Sequence, residues 1–166
     1  MRRWPELIGV TLALLVGASA LSGQAAPAKK VAASIARLFG GDAVADTVQV
    51  DGAAVLRIRQ GQAAEGYAVV RNVLGKDQPI TFLVAVDTTG VLKDVDILVY
   101  REPYGGEVAY EAWRKQFRGK SAVDPLIVGR DIRSISGATI SCNSVTLGVR
   151  TALADLARWR TAGKLP

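Results

Sequence analysis

The stretch PITFLVAVDTTGVLKDVDILVYRE, residues 79–102, predicts two antiparallel strands joined by a tight turn. Its first part, Pro79 to Asp87, is an almost continuous apolar run, which is typical of a strand covered on both faces. The turn occupies residues 87–90 and ends in a glycine. After the turn, Val95 and Ile97 alternate with aspartates, so one face of the second strand is expected to be buried.

Further strands precede this unit. The segments TVQV (residues 47–50) and AVLRIRQ (residues 54–60) flank Asp51-Gly52, a dipeptide that favours a two-residue hairpin turn. The segment EGYAVVRNVLG (residues 65–75) is another strand candidate. Successive strands separated by such turns predict an antiparallel meander.

Helical periodicity appears in three segments. A short amphipathic helix is expected over residues 31–39, closed by Gly40-Gly41. A second helix is predicted from about Glu107 to Arg118, and a third from Ser141 onward. The segment DPLIVGRDIRSI, residues 124–135, is expected to be extended. The fold class is therefore α+β, a mainly antiparallel sheet packed with flanking helices in a single domain.

The composition leaves few kinds of chemistry to the side chains. The chain has 166 residues, a net charge of +6, one cysteine (Cys142) and no histidine. These counts exclude an intramolecular disulfide, the usual zinc sites, a Ser-His-Asp triad and histidine-ligated haem. A phosphate loop of the Gly-x-x-x-x-Gly-Lys-[Ser/Thr] type is also absent from the sequence. Reactivity would therefore have to come from carboxylates, hydroxyls, basic groups or a bound cofactor.

The N-terminus has the pattern of an export signal. Arg2 and Arg3 precede an apolar run from Leu7 to Val16, followed by a small-residue cleavage site, Ala18-Ser19-Ala20. That run is short for a transmembrane helix, which needs about 20 residues. We expect cleavage after Ala20, with Ala25 as the second choice and an uncleaved N-terminal membrane anchor as the alternative.

An exported protein would be periplasmic or on the outer face of the inner membrane, so nucleic acid is not an expected partner despite the basic charge. The predicted division of the chain is a signal peptide at residues 1–20 (to 25 on the second choice), a linker at 21–30, the main domain at 31–160 and a tail at 161–166.

The segment SISGATIS, residues 134–141, is rich in hydroxyls and leads into the last helix. A helix N-terminus presents free N–H groups and a partial positive charge, which together favour a phosphate. Gly137 allows close backbone approach, and Ser141 is the expected helix cap. Thr139 lacks an activating base and is a better target for another enzyme than a nucleophile of its own. A plain turn and cap is the alternative interpretation.

This segment resembles the flavinylation motif of the FMN-binding domain family, Ser/Thr-Gly-Ala-Thr followed by Ser or Thr. The family includes covalent-FMN subunits of the Rnf complex and of the sodium-pumping quinone reductase, and small exported FMN-binding proteins. In such proteins a flavin transferase cleaves FAD and joins FMN, through its phosphate, to the threonine hydroxyl. The resemblance implies that Thr139 is the acceptor, framed by Ser136, Gly137 and Ala138. Three other segments are similar to family segments in the same order: ITFLVAVDTTGVLKDVDILVYRE, REPYGGEVAYEAWRKQFRGK and SVTLGVRTAL.

One position departs from the family pattern. Arg133 stands where the family usually has an acidic residue associated with recognition by the transferase. Asp131 lies two residues earlier, on the same strand face if the segment is extended. An arginine near the site would favour a phosphate through charge-assisted hydrogen bonds. The alternative is an exposed strand residue without a role.

The segment YREPYGG, residues 100–106, is the second candidate part of the site. Tyr104 is a candidate for stacking on the isoalloxazine ring, Glu102 for a polar contact, and Gly105 and Gly106 for a hinge. The alternative is a simple connection between strand and helix. By contrast, Trp113, Phe117 and Cys142 are expected to be buried.

The resemblance implies an exported flavoprotein that carries FMN on Thr139 and transfers electrons. Its implied partners are a flavin transferase and membrane-bound or extracytoplasmic redox proteins. Two alternatives remain open: a flavin-dependent reductase acting directly on a small acceptor, and a module that binds FMN or another ligand without a covalent bond.

Overall fold

The computed structural model describes residues 28–165, which form five strands and three helices. The first helix and the strands follow one another without interruption, and a short helix flanked by two 3-10 turns separates them from a long final helix. The elements are α1 (Ala28–Phe39), β1 (Val44–Val50), β2 (Ala53–Gln60), β3 (Ala63–Leu74), β4 (Pro79–Asp87), β5 (Leu92–Val99), a 3-10 turn (Gly106–Ala109), α2 (Glu111–Arg114), a second 3-10 turn (Lys115–Phe117) and α3 (Thr139–Thr161). The predicted α+β class is confirmed.

The strands form one antiparallel meander in the order β1-β2-β3-β4-β5. Asp51 and Gly52 both have positive φ angles in the β1–β2 turn, as the dipeptide predicts. The β4–β5 turn closes with a hydrogen bond from the Gly90 N–H to the Asp87 carbonyl. Every residue of β4 from Ile80 to Val86 is buried, which confirms that both faces of this strand are covered.

The two faces of the sheet pack on different helices. On one face, β4 residues contact the buried stripe of α3 together with Trp113 and Phe117. On the other face, Ile35 and Phe39 of α1 contact Leu83 and other residues of the middle strands. Trp113, Phe117 and Cys142 are buried, as predicted. This arrangement fixes the N-terminus of α3 beside the end of β5.

The predicted helix over residues 107–118 is wrong in its continuity. Tyr110 has an extended backbone, with φ −71° and ψ 137°, and interrupts it. After this break the buried guanidinium of Arg114 reaches the Asp94 carboxylate at 3.1 Å and the Val95 carbonyl at 2.6 Å. Because Asp94 is fully buried, its charge needs these partners, and the contacts across the fold outweigh local helical periodicity.

The segment at residues 124–135 is not the extended strand that the sequence predicts. It folds into a turn in which the Asp131 carboxylate accepts hydrogen bonds from the N–H groups of Leu126 and Ile127. A single bridge, between Val128 and Ile132, closes the turn. The side-chain hydrogen bonds of Asp131 thus replace a strand ladder.

At the N-terminal end, α1 begins at Ala28, so residues 28–30 of the predicted linker are helical. The predicted signal peptide and its cleavage sites lie outside the described residues. Within residues 28–165, no helix is both long enough and apolar enough to cross a membrane.

Candidate functional site

Thr139 is the first residue of α3, at the end of a tight glycine turn. Gly137 has a φ of +82°, which permits this turn, and the Ala138 N–H donates to the Ile135 carbonyl. Thr139 itself is exposed. The first backbone bond of the helix runs from the Cys142 N–H to the Ala138 carbonyl. The N–H groups of residues 139–141 therefore have no acceptor within α3 and are available to an anion.

The prediction that Ser141 caps this helix is wrong. The N-cap is Ala138, and no side chain caps the helix. Ser141 is 5% exposed, and its Oγ lies 2.8 Å from the hydroxyl of Tyr100. The Tyr100 hydroxyl also donates to the Tyr104 carbonyl, and burial raises the pKa of Tyr100. Ser141 thus joins the first turn of α3 to the segment after β5.

Gly105 fits tightly against this pair of hydroxyls. A Cβ atom at Gly105 would lie 2.7 Å from the Tyr100 hydroxyl and 2.9 Å from the Ser141 Oγ. Its φ of +88° is also unfavourable for any other residue. The predicted hinge glycine is therefore a close-packing position at the base of the site.

A cavity of about 340 Å³ opens in front of Thr139. One wall is the motif segment at residues 137–141, and the other wall is the β3–β4 hairpin with the segment after β5. The second wall is formed by Lys76, Asp77, Glu102, Pro103 and Tyr104.

Glu102 holds the hairpin in this position. Its Oε1 accepts hydrogen bonds from the N–H groups of Gln78 at 2.9 Å and Asp77 at 2.6 Å. These bonds lower the pKa of Glu102 below its usual value. As a result Lys76, a neighbour of those amides, lines the same cavity as Thr139. Lys76 is not identifiable as a site residue from the sequence, because no local pattern connects a hairpin lysine to a helix more than 60 residues later.

A second cavity, of about 310 Å³, adjoins the first, since Glu102, Tyr104 and Gly137 line both. Three further predicted site residues line the second cavity: Ser136, Gly105 and Gly106. Tyr104 is 82% exposed at the junction of the two cavities. Every predicted site residue except Arg133 lines at least one of the two cavities. These residues are Thr139, Ser136, Gly137, Ala138, Ser141, Glu102, Tyr104, Gly105 and Gly106.

Residues 75–154 match the model of the FMN-binding domain family. This part of the chain belongs to that family. The chain is also similar to a component of the proton-translocating ferredoxin:NAD(+) oxidoreductase complex of Clostridium ljungdahlii, with 32% identity over 64% of this chain and 60% of the relative. It is 31% identical to the corresponding component of the Na(+)-translocating ferredoxin:NAD(+) oxidoreductase complex of Acetobacterium woodii, over 45% of this chain and 40% of the relative. The chain thus spans less than two thirds of either relative.

The residues of this FMN-binding domain fit a molecule with a phosphate at one end and a flat aromatic ring at the other. The free N–H groups at the start of α3 and the ammonium of Lys76 suit the phosphate. Tyr104 offers an exposed aromatic face nearby. The two cavities are each within the range of about 300–1,000 Å³ common for small-molecule sites.

Arg133 lines neither of these two cavities. It lines a third cavity, of about 880 Å³, which adjoins the second because Glu107 and Tyr110 line both. Its main chain is engaged there: its N–H donates to Gln116 Oε1, and its carbonyl accepts from the Trp113 indole. Because the segment at residues 124–135 is not extended, Asp131 and Arg133 share no strand face. Asp131 belongs to the turn and pairs with Lys120 at 3.0 Å, and it lines the same cavity as Arg133.

Proposed function

We propose that this chain is an exported electron carrier that holds FMN through a phosphoester on Thr139. The observation that carries the proposal is the position of Thr139: it is exposed, opens α3 and faces a cavity that Lys76 also lines. The family match supports FMN as the ligand. The side chains supply no redox group of their own, whereas bound FMN supplies reversible two-electron chemistry.

A flavin transferase would make the covalent bond. It breaks the pyrophosphate bond of FAD, forms a bond between the FMN phosphorus and Thr139 Oγ, and releases AMP and the hydroxyl proton. The chain contributes a hydroxyl that water and an enzyme can reach, beside N–H groups that stabilise the phosphate charge. Buried Ser141 lacks that access, and Ser136 lies before the glycine turn.

The test is the intact mass of denatured protein after co-expression with a flavin transferase. Wild type should gain the mass of one FMN, Thr139→Ala should gain none, and Ser136→Ala and Ser141→Ala should show only a reduced yield. A Thr139→Ala protein that still carries denaturation-resistant flavin would disprove the acceptor. Unmodified wild type beside an active transferase would favour the non-covalent module.

Arg133 offers a second test of the covalent step. Because Arg133 contributes main-chain hydrogen bonds, Arg133→Asp should keep its local structure. With transferase scarce, we expect this variant to be modified to a larger fraction than wild type, since the family usually has an acid there. An unchanged yield would show that the residue at this position does not limit recognition.

Export and membrane-linked partners complete the proposal. Both similar proteins are components of ion-translocating oxidoreductase complexes, and such complexes work across a membrane. The apolar run and the Ala18-Ser19-Ala20 site support export. N-terminal sequencing of protein from the host envelope should begin at Leu21 or Ala26. Protein recovered from the cytoplasm with Met1 intact would contradict export.

A further inference from the structure

We propose that one surface beside Thr139 docks an acidic redox protein. The contact face of that partner would have an apolar centre ringed by carboxylates. We call the docking surface on this chain the α3 patch, and it consists of Ile127, Arg130, Ile140, Leu147 and Arg150. The inference rests on the proposed function for the position of the flavin. The docking surface itself can be tested without flavin.

The α3 patch contains three large apolar side chains that are open to solvent. Ile140 is 51% exposed, Leu147 53% and Ile127 40%. Ile140 and Leu147 lie on the same side of α3, two helical turns apart, with the exposed polar residue Asn143 between them. The turn that contains Ile127 meets this side of the helix across a small depression of about 130 Å³ that Leu147 and Arg150 also line. Ile127 and Leu147 share this depression, and grouped exposed apolar side chains mark interaction sites more often than isolated ones do.

The charges around these apolar side chains are positive and uncompensated. Arg130 and Arg150 are exposed and form no ion pair with any other residue in the range 28–165. Residues 126–154 contain three arginines and one acidic residue, Asp131. That carboxylate is already held by Lys120 and two backbone N–H groups. By contrast, Arg37, Arg114 and Arg118 all pair with Asp94. The free cations are therefore available to a partner's carboxylates.

The α3 patch begins at the flavin acceptor. Ile140 follows Thr139 and lines the same cavity. The Asn143 side chain, one turn further, donates to the Thr139 carbonyl. A protein docked on the patch would therefore bring its own redox centre close to a flavin on Thr139.

An acidic redox protein fits this surface better than an anionic membrane. Both would complement the arginines, but a lipid surface has no group that accepts electrons. A membrane covering the patch would also close off the flavin that the proposed function needs to keep accessible. The position of the patch next to Thr139 thus selects a protein partner.

The first experiment uses two probes with the same haem and opposite charge, native cytochrome c, which is basic, and succinylated cytochrome c, which is acidic. Binding to Thr139→Ala protein from which any non-covalent flavin has been removed is measured at low and high salt. We expect binding of the acidic probe only, with Arg150→Glu weakening it about tenfold at low salt and less at high salt. Leu147→Ser should weaken it at both salt concentrations.

Matched controls separate the patch from the net charge. Lys29→Glu makes the same charge change on α1, which packs on the opposite face of the sheet. Val44→Ser replaces an apolar residue of similar exposure, 52%, on the edge strand β1. Both controls should bind the acidic probe nearly as wild type does. The proposal would be overturned if Arg150→Glu and Lys29→Glu lost the same affinity for the acidic probe, or if Leu147→Ser and Val44→Ser did.

The second experiment adds flavin and lipid. In stopped flow, reduced holoprotein whose FMN is verified by mass gives two electrons to two ferric haems and releases its protons to solvent. Electron transfer to the acidic probe should be faster than to the native one and should slow in Arg150→Glu.

If flotation with phosphatidylglycerol vesicles depends on Arg150 while the acidic probe does not bind, the occupant is a membrane and the proposal is wrong. Absence of FMN from wild type would instead count against the proposed function.

Discussion

The hydroxyl of Tyr100 lies 2.8 Å from the Oγ of Ser141, although the two residues are 41 positions apart in the sequence. This contact joins the end of β5 to the first turn of α3. The same tyrosine hydroxyl donates to the Tyr104 carbonyl, so one side chain connects the two walls of the candidate FMN site.

Tyr100→Phe should loosen this connection without changing the packing of the ring. The Ser141 hydroxyl is buried and would lose its partner, so we expect the free energy of unfolding to fall by about 1–3 kcal/mol. Chemical denaturation measures this loss. Tyr110→Phe is the control, because Tyr110 is 65% exposed and should give almost no change. Equal stability of the two variants would contradict the role of Tyr100.

Gly105→Ala should destabilise the protein more than a positive φ angle alone explains. Gly129 has nearly the same φ, +87° against +88°, but open space around its Cβ position. The added methyl at Gly105 meets Tyr100 and Ser141, so its cost should exceed that of Gly129→Ala by about 1–3 kcal/mol. Thermal or urea unfolding of both variants provides the comparison. Losses of the same size would mean that the close approach is not sterically limiting.

Lys76→Gln should weaken binding of the phosphate group in particular. In a Thr139→Ala background, where binding is non-covalent, we expect about tenfold weaker binding of FMN and unchanged binding of riboflavin, which lacks the phosphate. Fluorescence titration gives both affinities. Lys29→Gln, on exposed α1, is the control and should leave FMN binding unchanged. A parallel loss for riboflavin would show that Lys76 acts on the ring or on the fold instead.

Glu102 should make the position of the hairpin depend on pH. Hydrogen bonds from Gln78 and Asp77 lower its folded-state pKa, while the unfolded value is about 4.3. The stabilisation of the hairpin by the ionised Glu102 carboxylate is therefore complete above the unfolded pKa. It is lost as pH falls through the lower folded pKa. Amide exchange, corrected for its intrinsic pH dependence, should show the Asp77 and Gln78 N–H groups losing protection at acid pH. Glu102→Gln should remove this pH step, and a step that persists would assign it to another group.

Sequence patterns were sufficient for the parts of the fold that depend on neighbouring residues. The apolar run of β4, the Asp51-Gly52 turn and the helical period of α3 were all predicted, because strand and helix periods record which side chains face the core. The motif also placed Thr139 beside a helix N-terminus, since glycine turns and helix starts are local features.

Only the tertiary structure decided which distant groups meet at the site. The break at Tyr110 accompanies the ion pair of Arg114 with buried Asp94, and Ser141 bonds Tyr100 instead of capping α3. Glu102 brings Lys76 to Thr139 through amides 24 and 25 residues away. The physical reason is common to all three: buried polar groups must find partners across the fold, and no local period in the sequence records which partners those are.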